Sequence, residues 1–134
     1  MKWIKLREVI KDVRLLKESN GDFKEIKIAF LRNYTVEKII PYLELFFLKE
    51  GFLPKFYFSG YDNIFQDILN DNSDYYQFDP DLTILSTTIS DASERLTHNF
   101  VQTLQDDLDS ELKRVVSQTE NIISILSKKK VGAI

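Results

Sequence analysis

The residues best placed for chemistry fall in three short polar segments, each following an apolar run. They are Arg32-Asn33-Tyr34-Thr35, Ser59-Gly60-Tyr61-Asp62 and Ser86-Thr87-Thr88, with Ser90-Asp91 beyond the third. Among them Asn33, Thr35, Ser59, Gly60, Tyr61 and Asp62 offer an amide, hydroxyls, a carboxylate and an unshielded glycine N–H. Such groups hydrogen-bond small ligands. If the apolar runs are parallel strands, the segments lie beyond their carboxyl ends, where open α/β sheets bind ligands. The same residue types also build turns and caps, so the pattern leaves both roles open.

The parts of several known chemistries are missing. The chain has no Cys, which removes disulfides, thiolate zinc sites and thiol nucleophiles together. His98 is its one histidine, so a His-based metal site or a Ser-His-Asp triad has little material. No catalytic residue, metal or cofactor is therefore expected in this chain. A nucleotide-binding turn needs glycines to let the backbone approach phosphate, and Leu31-Arg32-Asn33-Tyr34-Thr35 has none. A phosphoacceptor Asp is not found at the end of the third apolar run, because Asp81 precedes that run and Asp91 lies past it. Asp107 and Asp109 in the stretch Asp106–Ser110 match the D-x-D of haloacid-dehalogenase-type phosphotransferases superficially. They follow Gln102-Thr103-Leu104-Gln105-Asp106 rather than a buried strand, and read as a solvated acidic helix face.

The elements that position these segments follow from periodicity. Residues 3–18 predict an amphipathic helix through Leu6, Val9, Ile10, Val13 and Leu16, stopped by Ser19-Asn20-Gly21-Asp22. Residues 25–31 predict a strand apolar on both faces, with Ile26, Ile28 and Phe30 on one and Ala29 and Leu31 on the other. That is the pattern of a central parallel strand. Thr35 is the expected N-cap of a helix over 36–50, kinked by Pro41 and ended by Gly51. Pro54 opens an alternating strand over 55–59, read as an edge strand. A short helix over 62–69 turns Ile64, Phe65, Ile68 and Leu69 inward, and residues 70–74 form a loop. A strand over 82–87 and a long helix over 94–128 complete the chain, the helix carrying Leu108, Leu112, Val115, Thr119, Ile122 and Leu126. Val131-Gly132-Ala133-Ile134 reads as the opening of a fourth strand, which predicts that the domain continues.

This alternation predicts an α/β fold of three layers, α-β-α, with a parallel sheet and the first strand between the second and third. The 134 residues fit a single α/β domain. Apolar residues make up 43% and aromatics 13%, enough for a sizeable core. Trp3, Phe46, Phe47, Phe56 and Phe58 are expected in it. With 18 basic and 21 acidic residues the net charge is −3, so there is no basic surplus to neutralise phosphates and nucleic acid is not an expected partner. No apolar run is long enough for a membrane span, and Arg7, Glu8, Lys11 and Asp12 interrupt any signal-peptide core. The expected location is cytoplasmic.

Motifs then give a more specific reading. The first strand leads into Leu31-Arg32-Asn33-Tyr34-Thr35, and a Pro-containing helix follows. Next come Gly60-Tyr61-Asp62 and Phe65-Gln66-Asp67-Ile68-Leu69, then a loop of the D-x-x-S-x-[LY]-Y-x-F-x-P-D type, matched by Asp71, Ser73, Tyr76, Phe78, Pro80 and Asp81, with Asp71 one position closer to Ser73 than that pattern has it. In this order, through about half the chain, the motifs resemble the N-terminal domain of FkbH-like proteins. The resemblance implies an SGNH-hydrolase or flavodoxin-like domain joined to a downstream haloacid-dehalogenase-type (HAD-type) domain. FkbH-like proteins act in polyketide pathways, where a glyceryl unit from a phosphoglycerate is loaded onto an acyl carrier protein. Related multidomain proteins occur in O-antigen and capsule gene clusters. The phosphotransfer aspartates belong to the downstream domain.

Against SGNH esterases the departures are clear. Their first block is G-D-S-x-T, and Asn33 stands where that block has its nucleophilic Ser. An amide forms no acyl-enzyme. Gly60 matches the second block, whose N–H helps hold an oxyanion. The third block, G-x-N-D, is not recognisable near Ser86–Asp91, and the D-x-x-H block would lie beyond Ile134. Three functions are carried forward. The first is a noncatalytic binding and positioning domain of an FkbH-like protein, partnered by the downstream HAD-type domain and an acyl carrier protein. The second is a degenerate SGNH-type acyl hydrolase or transferase using Thr35 or Ser59. The third is a structural domain that self-associates as a homodimer through the stripe from Leu108 to Leu126.

Overall fold

The computed structural model describes residues 5–19, 21–102 and 104–129, with Asp91 and Phe100 described by their backbone alone. Expectations for Trp3, Asn20 and Val131–Ile134 lie outside the described residues. Three strands form one parallel sheet: β1 (Lys24–Arg32), β2 (Phe52–Phe58) and β3 (Leu82–Ser86), in the order β2-β1-β3. Helices α1 (Leu6–Glu18) and α2 (Ile40–Lys49) pack on one side. Helices α3 (Ile64–Leu69), α4 (Asp74–Phe78) and α6 (Gln105–Lys128) pack on the other, and α5 (Ile89–Ala92) follows β3. This is the expected three-layer α/β arrangement, with β1 central and β2 at an edge.

The two-faced pattern of β1 sets the core. Ile28 and Phe30 are buried with Val36, and the half-buried Ile40, Leu43, Phe47, Phe56 and Phe58 pack against them beneath α2. Ala29 and Leu31 point to the opposite face and are buried with Ile64, Ile68, Tyr75, Ile122 and Leu126. The Tyr75 hydroxyl lies 2.8 Å from Thr83 Oγ1, which satisfies two buried polar groups under α4. The start of the sheet is also tied. The Lys27 N–H donates to Asp81 Oδ2 at 2.8 Å, and the Asp81 N–H donates to the Lys27 carbonyl at 2.9 Å.

Several boundaries depart from the sequence-based expectation, each for a local reason. α1 ends at Glu18, and the hydroxyl of its C-cap Ser19 donates to the Leu16 carbonyl. Leu6 and Ile10 of its expected inward face are exposed, and α1 buries Val9 and Val13 against Leu45 and Leu48 of α2. Thr35 caps no helix. A 3-10 turn over Glu37–Ile39 precedes α2, whose N-cap is Ile39. Pro41 therefore sits in the first turn of α2, where its missing N–H costs nothing, instead of kinking a longer helix. Gly51, at φ 83°, does take the left-handed conformation that ends α2. β2 starts two residues before Pro54, which pairs with Ile26 inside the strand. Leu69 is exposed at the last residue of α3. The expected loop at 70–74 leads straight into α4, and the long last helix begins at Gln105, after α5 and a 3-10 turn at Phe100–Gln102.

Candidate functional site

Beyond the carboxyl ends of β1 and β3 lies a groove of about 350 Å³, closed on its far side by α6. Ile64, Phe65, Val115 and Ile122 make its apolar floor. Asn33, Asp62 and Thr88 stand on one rim, and Arg114 and Gln118 on the other. Asn33 fixes the position of its rim. Its N–H donates to the Ser86 carbonyl at 3.3 Å, and its Oδ1 accepts from the Thr88 N–H at 3.1 Å, joining the ends of β1 and β3. Asp62 has a left-handed backbone, φ 57°, in the turn that the Asn63 N–H closes onto the Gly60 carbonyl. A Cβ on Gly60 would come within 2.6 Å of Asn63 Nδ2, so this turn is drawn tightly over the glycine.

The charges on the α6 rim are already paired. The Arg114 Nε and Nη2 donate to the two Glu111 carboxylate oxygens at 3.1 and 2.7 Å. The same Nη2 donates to the Ala92 carbonyl at 2.7 Å, and Nη1 donates to Gln118 Oε1 at 3.2 Å. Hydrogen bonds from Arg114, then from Ser93, pull the Glu111 carboxyl down to about 2. Four of the five guanidinium N–H groups thus have partners within the protein. The remaining lining is one carboxylate, amides and hydroxyls, with the apolar floor and, from α5, Ala92 and the exposed Ile89. That lining suits an uncharged amphipathic group.

The other sequence-derived candidates form a second cluster off the groove. Arg32 ends β1 with 7% of its surface exposed. Its guanidinium carbon lies 5.1 Å from the Phe58 ring centroid and 4.8 Å from that of Tyr61, and its Nη1 is 2.7 Å from Glu37 Oε2. The Glu37 carboxyl is held below its usual range, first by its own backbone N–H and then by Arg32. Thr35 Oγ1 and the Tyr61 hydroxyl are 2.8 Å apart. Ser59 is fully buried and its Oγ accepts from the Arg32 N–H at 3.0 Å. The partner of Thr35 is a phenol and that of Ser59 a peptide N–H. Among the described residues, neither hydroxyl is hydrogen-bonded to a base that would activate a nucleophile.

The structure brings Asn33 and Asp62 to the groove, and groups Thr35, Ser59 and Tyr61 around Arg32, with Gly60 in the turn between. Sequence reasoning did not select Arg32, whose position at the end of an apolar strand was the available signal. It also missed Arg114, Gln118 and Glu111, for which no local pattern existed. Residues of the loop motif prove to be scaffolding. The Ser73 hydroxyl donates to the Asp67 carbonyl and that of Tyr76 to the Ile68 carbonyl. His98 is exposed, and Asp106, Asp107 and Asp109 lie exposed in the first turns of α6. Among the described residues no cluster of metal-ligating side chains occurs, and no helix is long and apolar enough to cross a membrane.

No family model matches the chain, and no curated protein matches it. Among solved structures it is similar to the N-terminal part of the protein BF1531 from Bacteroides fragilis, a crystal structure described as containing a phosphatase domain complexed with Mg. The TM-score is 0.70 at 18% identity. The match covers 97% of this chain and 32% of that one, so the chain spans about a third of the length of the solved protein and shares its fold over that part.

Proposed function

We propose that this chain is a noncatalytic binding and positioning domain of an FkbH-like protein. In this reading it seats a small acyl group, delivered on an acyl carrier protein, while a downstream HAD-type domain carries out the phosphoryl chemistry. The pathway class is polyketide, O-antigen or capsule biosynthesis, and Asn33 and Asp62 are the contact residues in the groove. The observation that carries the reading is the groove itself, an apolar floor at the strand ends under a polar rim with its one arginine internally paired. The fold likeness to the N-terminal part of a phosphatase-domain protein supports the placement in a larger chain.

The test is a 15N-NMR titration with an acyl-pantetheine thioester, free and on a carrier protein. Backbone signals of Asn33, Asp62 and Thr88 should shift together. Asn33→Ala and Asp62→Asn should each weaken binding about five- to tenfold, the loss of one hydrogen bond. A flat titration at millimolar thioester, or binding indifferent to both substitutions, overturns the assignment.

A further inference from the structure

α6 carries two apolar stripes; among the described residues one is buried and the other is largely exposed, with Thr119 between them half-buried at the edge of the groove. Leu108, Ile122 and Leu126 are buried, with Val115 half-buried beside them. Next to this stripe, Leu112, Val116 and Ile123 are 52%, 47% and 42% exposed. With Thr119 they repeat at steps of four, three and four, which places them within an arc of about 60° along the helix. This is the seam of a two-stranded coiled coil, with Val116 and Ile123 at one core position of the heptad and Leu112 and Thr119 at the other.

We propose that this seam is the interface of a two-fold homodimer in which α6 pairs antiparallel with α6 of a second copy. Three observations choose that occupant. First, the seam is flanked on one side by Leu108, Val115 and Ile122, which this domain already covers, so a partner helix has only the other flank free. Second, that free flank carries exposed Asp106, Lys113, Glu120 and Ser127. A parallel partner would bring this flank against the covered one. An antiparallel two-fold partner brings it against itself, and the two domains then lie on opposite sides of the helix pair. Third, the antiparallel register that sets Leu112 on Ile123 and Val116 on Thr119 also sets Lys113 opposite Glu120, twice by symmetry. Opposite charges flanking an apolar seam select register and orientation.

Sedimentation equilibrium of the full chain tests this. The wild type should dimerise, Lys113→Glu should raise the dissociation constant about tenfold by opposing like charges, and Lys113→Glu with Glu120→Lys should restore it. Orientation is read by cross-linking, since the chain has no native cysteine. Leu112→Cys and Ile123→Cys proteins, mixed, should form the mixed disulfide, and Leu112→Cys alone should not. All four positions are exposed or nearly half-exposed, and circular dichroism checks that each variant is folded. A wild type that stays monomeric at about 0.5 mM overturns the proposal and leaves the seam to another segment or partner. A dimer indifferent to Lys113→Glu, or one that cross-links through Leu112→Cys alone, overturns it equally.

Discussion

The guanidinium carbon of Arg32 sits over the ring of Tyr61, 4.8 Å from its centroid, and this contact ties the end of β1 to the loop after β2. The Arg32 Nε also reaches the Ser59 carbonyl at 3.4 Å and its Nη1 lies 2.7 Å from Glu37 Oε2, so one side chain joins the segments after β1 and β2. The arrangement depends on a planar cation, which lies flat on an aromatic face as an ammonium does not.

Arg32→Ala should therefore cost about 2 kcal/mol, a fall of about 8 °C in thermal midpoint for a chain of this size. Arg32→Lys should recover less than half of the loss. Tyr61→Phe keeps the ring and removes only the hydroxyl that meets Thr35, so it should shift the midpoint little, whereas Tyr61→Ala should approach the arginine deletion. Equal losses in the two tyrosine variants would show that the Thr35 contact, not the ring, matters.

The hydroxyl pair of Tyr75 and Thr83 is the most enclosed polar contact in the core, both residues being almost fully buried. Tyr75→Phe leaves Thr83 without its partner and should cost about 1–3 kcal/mol in denaturant unfolding. Thr83→Val should cost a similar amount. The double variant should lose clearly less than the sum, because it removes both polar groups together. Additive losses would mean that water or another group satisfies each hydroxyl separately.

Acid titration should separate two carboxyls with opposite signs. The Glu111 carboxyl lies at about 2 in the folded chain against an ordinary 4.5, mainly through Arg114. On acidification the unfolded chain takes up this proton first. The stabilisation is present above pH 4.5 and is lost as pH falls towards 2. The Asp67 carboxyl is raised, chiefly by burial and further by Asp74, against the opposing hydrogen bond from Tyr57. Its ionised form costs stability at neutral pH, and the cost is relieved as pH falls through its raised folded value. Unfolding measured from pH 7 to 2 should show a flatter acid limb for Glu111→Gln. Asp67→Asn should gain at pH 7 and lose that advantage in acid. An unchanged acid limb in Glu111→Gln would contradict the pairing with Arg114.

The sequence made β1 legible because Ile28 and Phe30 alternate with Ala29 and Leu31, and only a strand covered on both faces tolerates that. The order β2-β1-β3 then followed from chain handedness. α4 was hidden because five residues after an Asp- and Ser-rich stretch show no helical period, although Tyr75 anchors it in the core. Thr35 suited a cap chemically, but the 3-10 turn before α2 displaced the helix start beyond its reach. Asn33 and Asp62 were visible as polar residues after apolar runs. Arg114 stands 81 positions from Asn33, and only the packing of α6 across the sheet brings the two to one groove. Spacing in sequence carries no trace of that meeting.

The central place of β1 also sets a timetable for synthesis. Ile28 pairs with Phe56 on one side and Leu82 on the other, so its second neighbour is made 54 residues later. At ribosomal rates that delay is roughly 3–11 s. Throughout it, the β1-α2-β2 unit can form as a parallel pair, but the side of β1 meant for β3 has no partner, and the face bearing Ala29 and Leu31 waits longer still for Ile122 and Leu126. The nascent chain thus holds its most apolar strand half-finished until the last helix emerges.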